Sequence, residues 1–140
     1  MIVSKFGGTS VGSAENIEKV IEIAKQKKEQ VAVVVSALGG VTNQLIRASQ
    51  LSLEADPAYE NILDELDKRH RETIDALLQG DFKESALQHL KETLDELRMI
   101  LQGVSLLSDL SGKSADRIVS TGEILSSYLI SMAMKQRVLK

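Results

Sequence analysis

The chain has 140 residues, with 17 Lys and Arg against 20 Asp and Glu, two His and no Cys. That length suits one domain with a real core, and a net charge of −3 argues against a nucleic-acid surface, which needs clustered Lys and Arg. Without Cys there is no disulfide framework, thiolate metal site or thiol nucleophile, and the longest aliphatic run, Val31 to Val35, falls far short of the ~20 residues of a membrane span.

Met1 to Phe6 is short and apolar and is closed by Gly7-Gly8, so it predicts a strand. No secretory apolar region follows the start, and a soluble, cytoplasmic protein is expected. Ser13 is placed to cap a helix whose inner stripe is Ile17, Val20, Ile21 and Ala24, with Lys25, Lys27 and Lys28 at its positive end. Val31 to Val35 is β-branched and apolar on both faces, the pattern of a buried parallel strand. Strand, helix and strand over this length make a βαβ unit. Another helix is expected near Thr42, with Leu45 and Ile46 facing inward.

From about 57 to 103 the chain reads as a helical hairpin. Leu63, Leu66, Ile74 and Leu77 form one stripe, Gly80-Asp81 marks the turn, and Leu87, Leu90, Leu94, Leu97 and Leu101 follow at heptad-like spacing. Two heptads are too few for a coiled coil, so the seam is expected to pack within the chain rather than against a partner. The last helix should run from about Ser114 to Met134. Asp116, Ser120, Glu123, Ser127 and Ser131 share one face of it, and nearly everything else is apolar, which predicts a buried helix that carries Glu123 into or beside the core. Val138-Leu139-Lys140 resembles the start of a further strand, so the chain is expected to be the N-terminal piece of a longer protein.

The segment Lys5 to Ser13 places a Gly pair between a strand and a helix N-terminus. Backbone N–H groups and the helix dipole there favour an anion, and Lys5 adds a formal charge. The alternative is a tight β–α turn. It is not a Walker A loop, because Ser13-Ala14 stands where Lys and Ser/Thr belong, and it lacks Gly-x-Gly-x-x-Gly spacing. Gly112-Lys113-Ser114 imitates a Walker A ending, but position 107 is Leu and the preceding sequence is helical. The second strand exit, Ser36 to Asn43, repeats the design. Ser36 and Thr42 either face the Gly7-Gly8 turn or serve only to end a strand and cap a helix. A buried Glu123 needs a ligand cation or a partner such as Arg117 or Lys113. His70 and His89, set among charges, are expected to be solvated and not metal ligands.

Lys5-Phe6-Gly7-Gly8-Thr9-Ser10-Val11, Val35-Ser36-Ala37 with Thr42-Asn43, and Val119-Ser120-Thr121-Gly122-Glu123, in that order, resemble the N-terminal signatures of aspartate kinases in the amino acid kinase family. The resemblance runs from the first residue to the last, although a whole catalytic domain of the family is longer. It implies an α/β, three-layer amino acid kinase-like (carbamate kinase-like) fold. Residues 1–140 would be its N-terminal, amino-acid-substrate lobe, with parallel strands and an inserted hairpin, and the nucleotide lobe and regulatory domains would lie outside it. The implied reaction is phosphorylation of the β-carboxylate of L-aspartate by ATP with Mg2+, giving 4-phospho-L-aspartate, the first step towards lysine, threonine and methionine. By the same resemblance Lys5 is catalytic; Lys5, Gly7, Gly8, Thr9 and Ser10 meet the ATP phosphates; Ser36, Thr42 and Glu123 meet aspartate; and no residue binds a metal. A cytoplasmic homo-oligomer with no nucleic-acid or membrane partner is implied for the full-length protein, and the 140 residues alone are expected to be inactive. The competing readings are another phosphotransferase of the family and a non-catalytic module built on the hairpin.

Overall fold

Ile2–Phe6 (β1) and Val31–Val35 (β2) pair in parallel, from Ile2 opposite Val31 to Phe6 opposite Val35. The computed structural model describes residues 1–27 and 29–138. The crossover between the strands is Ala14–Lys25 (α1), capped by Ser13, whose Oγ accepts from the Asn16 N–H at 3.2 Å. Ile17, Val20 and Ile21 are buried and Ala24 is half-buried, the stripe expected. Lys25 occupies the last turn, while Lys28 lies outside the described residues.

The sheet has two unlike faces. Val31, Val33 and Val35 lie against Ile130 and Met134 of the last helix, and Val31 and Val33 also border Ile21 and Ala24 of α1. Val3, Lys5 and Val34 turn the other way, and Val3 is 66% and Val34 46% exposed. Among the described residues, no layer covers that second face. The architecture is α/β as expected, and among the described residues helices cover one face of the sheet.

Val41–Leu53 (α2) is central, packing on Tyr59–Leu77 (α3), Gly80–Leu107 (α4) and Gly112–Val138 (α5). Val41, Leu45, Ala48 and Leu51 form its buried stripe. Ile46, expected to face inward, is 40% exposed because it lies 100° round the helix from Leu45. In the hairpin, Leu63, Leu66, Ile74, Leu77, Leu90, Leu94, Leu97 and Leu101 are buried and Leu87 is half-buried. The heptad-like seam closes on α2, α3 and α5, so it packs within the chain. The α3–α4 turn is held by buried Gln136 of α5, whose Oε1 accepts from the Gln79 N–H at 2.8 Å and whose Nε2 donates to the Leu77 carbonyl at 3.0 Å.

Three further expectations are corrected. His70 is buried, not solvated: it lies in phase with Leu66, Thr73, Ile74 and Leu77, while its charged neighbours face elsewhere. His89 is half-buried and stacks on Tyr128, with ring centroids 3.9 Å apart. Val138 ends α5 instead of starting a strand, and Leu139 and Lys140 lie outside the described residues. The polar stripe of α5 runs along the surface, with Asp116, Glu123 and Ser127 exposed and Ser120 and Ser131 half-buried. Glu123 therefore stands beside the core and not within it. The helix buries its other sides against α2, α4 and β2, which explains its apolar composition without burying the carboxylate.

Candidate functional site

Both strands end in glycine turns, and the two turns press against each other. A Cβ on Gly39 would stand 3.1 Å from the Gly8 carbonyl oxygen, and one on Gly8 would stand 3.4 Å from the Ala37 carbonyl oxygen. A side chain on Gly39 would press on backbone that cannot swing aside, whereas one on Gly8 would only touch its neighbours. Gly7 is different: a Cβ there would meet no atom within 4 Å, so that side of the turn is open.

The first turn is internally braced. The Val11 N–H donates to the Gly7 carbonyl at 3.3 Å, the Gly12 N–H donates to the Thr9 carbonyl at 3.2 Å, and Asn16 Nδ2 donates to the same Thr9 oxygen at 3.1 Å. Among the described residues, no protein group accepts from the N–H of Gly8, Thr9 or Ser10. Three successive free donors at the C-terminal end of a parallel strand can hold an anion. The Thr9 and Ser10 side chains are exposed and border a cleft of about 330 Å³ on the α1 side, lined also by Phe6, Asn16, Lys19 and Val20. The structure does not bring their hydroxyls into hydrogen bonds with Ser36 or Thr42.

The second turn is anchored by α5. The Ser36 N–H continues the sheet by donating to the Phe6 carbonyl at 3.1 Å, and the Ser36 carbonyl accepts from the buried Ser126 hydroxyl at 2.7 Å. Gly122 packs on Ala37, Val41 and Leu45. Glu123 follows immediately and is thereby held at the exit of β2. Thr42 does not cap α2: the cap position is Gly40, with φ of 87° and no side-chain hydrogen bond. The hydroxyls of Ser36 and Thr42, both half-buried, have no hydrogen-bond partner among the described residues.

The two formal charges expected at the site are unneutralised. Neither Lys5 nor Glu123 has an opposite charge within 4.0 Å among the described residues. Arg117, a candidate partner for Glu123, pairs with Glu96 at 2.7 Å instead. Lys5 is exposed on the open sheet face, one residue before the strand end. The ends of β1 and β2, the first turn of α2 and the middle of α5 thus bring Gly7-Gly8, Ser36, Thr42 and Glu123 to one end of the sheet, with Lys5 at its margin. Sequence reasoning missed Arg69 of α3, which donates to the Gly12 carbonyl at 3.1 Å and also to the Gly39 carbonyl. No motif in the sequence signals that contact.

Residues 1–140 match the profile of the amino acid kinase family. A chloroplastic bifunctional aspartokinase/homoserine dehydrogenase 2 of Arabidopsis thaliana is 31% identical over 135 residues, spanning 96% of this chain and 15% of the relative. An aspartokinase of Candida albicans is 31% identical over 141 residues, spanning 96% of this chain and 26% of the relative. The fold is similar to that of E. coli aspartokinase III solved in complex with aspartate and ADP, with a TM-score of 0.86 and 24% identity over 99% of this chain and 29% of that one. The chain spans less than a third of the length of each of these three proteins. With its glycine turns, paired strands and docked helix matched from end to end, the chain belongs to the amino acid kinase family.

Proposed function

We infer that the protein containing this chain transfers the γ-phosphoryl group of ATP to the β-carboxylate of L-aspartate, giving 4-phospho-L-aspartate. The observation that carries this reading is the convergence of sequence-distant segments at one end of the sheet. It brings a lysine and a carboxylate, neither with an ion-pair partner among the described residues, to the same end as backbone donors left free there. The aspartokinase relatives support the choice of substrate, and with that substrate the proposed reaction is the first step of lysine, threonine and methionine biosynthesis.

A carboxylate with an ordinary pKa of ~3.9 is already ionised at pH 7, so the reaction needs no general base. Its difficulty is bringing an anionic nucleophile onto an anionic phosphoryl group, which leaves positioning and charge neutralisation as the protein's task. In this reading Lys5 meets the charge on the transferring group, and the N–H groups around Gly7, Gly8, Thr9 and Ser10 receive phosphate oxygens. Ser36 and Thr42 offer hydroxyls to the amino acid, and Glu123 holds its ammonium. Among the described residues no cluster of three or more His, Cys, Asp or Glu could hold a metal ion. In this reading Mg2+ travels with the nucleotide phosphates.

The same proposal makes this chain the N-terminal, amino-acid-substrate lobe of a longer, cytoplasmic, homo-oligomeric enzyme. The uncovered Val3 and Val34 support burial of that face by further protein. The test is an ATP- and aspartate-dependent hydroxamate assay on the full-length protein. Aspartyl hydroxamate is the expected product. Activity with a different acid would favour another phosphotransferase of the family, and no activity with any acid would favour a non-catalytic module.

A further inference from the structure

Arg69 joins two turns that the sequence keeps far apart. One terminal nitrogen of its guanidinium donates to the Gly39 carbonyl, 30 residues upstream, and the other donates to the Gly12 carbonyl, 57 residues upstream. Those carbonyls belong to the two glycine turns whose backbones touch at Gly8 and Gly39. A planar fork with fixed donor directions suits two acceptors held at a set separation, whereas an ammonium on a flexible stem does not.

The helix beneath Arg69 is well anchored. Leu66 is 0% and His70 1% exposed, and the Thr73 hydroxyl donates to the Arg69 carbonyl at 2.9 Å. The guanidinium also has no carboxylate within 4.0 Å among the described residues, so its charge is left over at the Gly12 end of the first turn. A half-buried cation bonded to the same turn that carries the free N–H groups acts through less solvent than a surface charge does.

We propose that Arg69 is a positioning residue for phosphoryl transfer, which locks the two glycine turns at the separation the reacting groups require and adds its charge to that of Lys5. This rests on the phosphotransfer reading above. It assigns to the hairpin helix a role in the reaction, through the turns and not through contact with substrate.

The test compares wild type, Arg69→Lys and Arg69→Ala in the full-length protein, by hydroxamate formation and by thermal melting. Arg69→Ala is expected to lower kcat by about tenfold or more, with a smaller change in the KM for aspartate. Low, non-denaturing guanidinium should restore part of that rate by occupying the vacated site. Arg69→Lys keeps the charge without the fork and should melt near wild type, yet remain several-fold slower. If Arg69→Ala unfolds, the Lys variant decides. An active wild type with a Lys variant of unchanged kcat overturns the proposal, as does an Ala variant within about threefold of wild type. A wild type that phosphorylates no acid removes the underlying functional reading itself, a different and separately visible outcome.

Discussion

Gly122 of α5 lies so close to Ala37 that a Cβ added to it would stand 2.7 Å from the Ala37 Cβ, with Leu45 Cδ1 at 3.3 Å and Val41 Cγ1 at 3.4 Å. The helix can carry Glu123 to the strand exit only because this position has no side chain. Gly122→Ala would gain about 1 kcal/mol of helix propensity but lose about 1–3 kcal/mol by overpacking. The Ala37 methyl is fixed to the backbone and cannot swing away, so the larger loss is expected. The variant should melt a few degrees below wild type, and Ala37→Gly added to it should recover more than half of the difference. Full additivity of the two changes would mean that the residues do not meet.

The buried His70 gives the fold a pH dependence of known sign. Its burial lowers the imidazole pKa from the ordinary ~6.5, opposed by the hydrogen bond that its Nδ1–H donates to the Leu66 carbonyl at 2.7 Å; the Arg69 charge lowers it further and Asp67 raises it. Nε2 has no partner among the described residues. The folded state therefore favours the neutral ring. That contribution is fully present above the unfolded-state pKa and is lost as pH falls through it towards the lower folded value. Thermal melts between about pH 5 and pH 8 should show wild type losing stability on acidification, and His70→Leu should flatten the curve. His89, also lowered by its partial burial, leaves a residual slope of the same sign. Equal slopes in the two proteins would mean that His70 does not titrate in this range.

How legible the molecule was depends on whether a feature is local. β1 and β2 are short apolar runs closed by glycines, and the helical seams repeat Leu every third or fourth residue, so one strand or helix at a time suffices to find them. The stripe on α5 is also legible, but whether it enters the core or runs beside it is left open by the sequence. An apolar majority shows that a helix packs on several sides, but not whether its polar side faces the core or a sheet end. His70 is hidden by local charge, since the charges flanking it in sequence lie off the buried stripe that carries its ring. Arg69 and Gly122 were beyond reach altogether, because their partners are carbonyls and a methyl group tens of residues away.

Lys5 is exposed and has no ion-pair partner among the described residues, so its loss should hardly disturb the fold, with a stability change within about 0.5 kcal/mol. That makes Lys5→Ala a clean test of chemistry. If Lys5 meets charge that moves during transfer, the variant of the full-length protein should lose ~10²–10³ in kcat, with a much smaller rise in the KM for aspartate. A kcat within about threefold of wild type would remove Lys5 from the reaction.

Glu123 offers the corresponding test on the substrate side. Because it is exposed and has no ion-pair partner among the described residues, Glu123→Gln should leave the melting temperature of the full-length protein nearly unchanged. A structural carboxylate would behave otherwise, lowering stability and moving both KM values together. If its task is to hold an ammonium, deleting the charge while keeping the shape should raise the KM for aspartate at least about tenfold, a loss of about 1.4 kcal/mol, and spare the KM for ATP. Succinate, which lacks the ammonium, provides the second arm. Wild type should discriminate strongly against it, since a negative group placed to read a cation gains nothing from a substrate without one. The Gln variant should discriminate less, because aspartate has lost its advantage while succinate had none to lose. Equal discrimination by the two proteins would show that the ammonium is read elsewhere, and Glu123 would then be an ordinary surface carboxylate beside the turn.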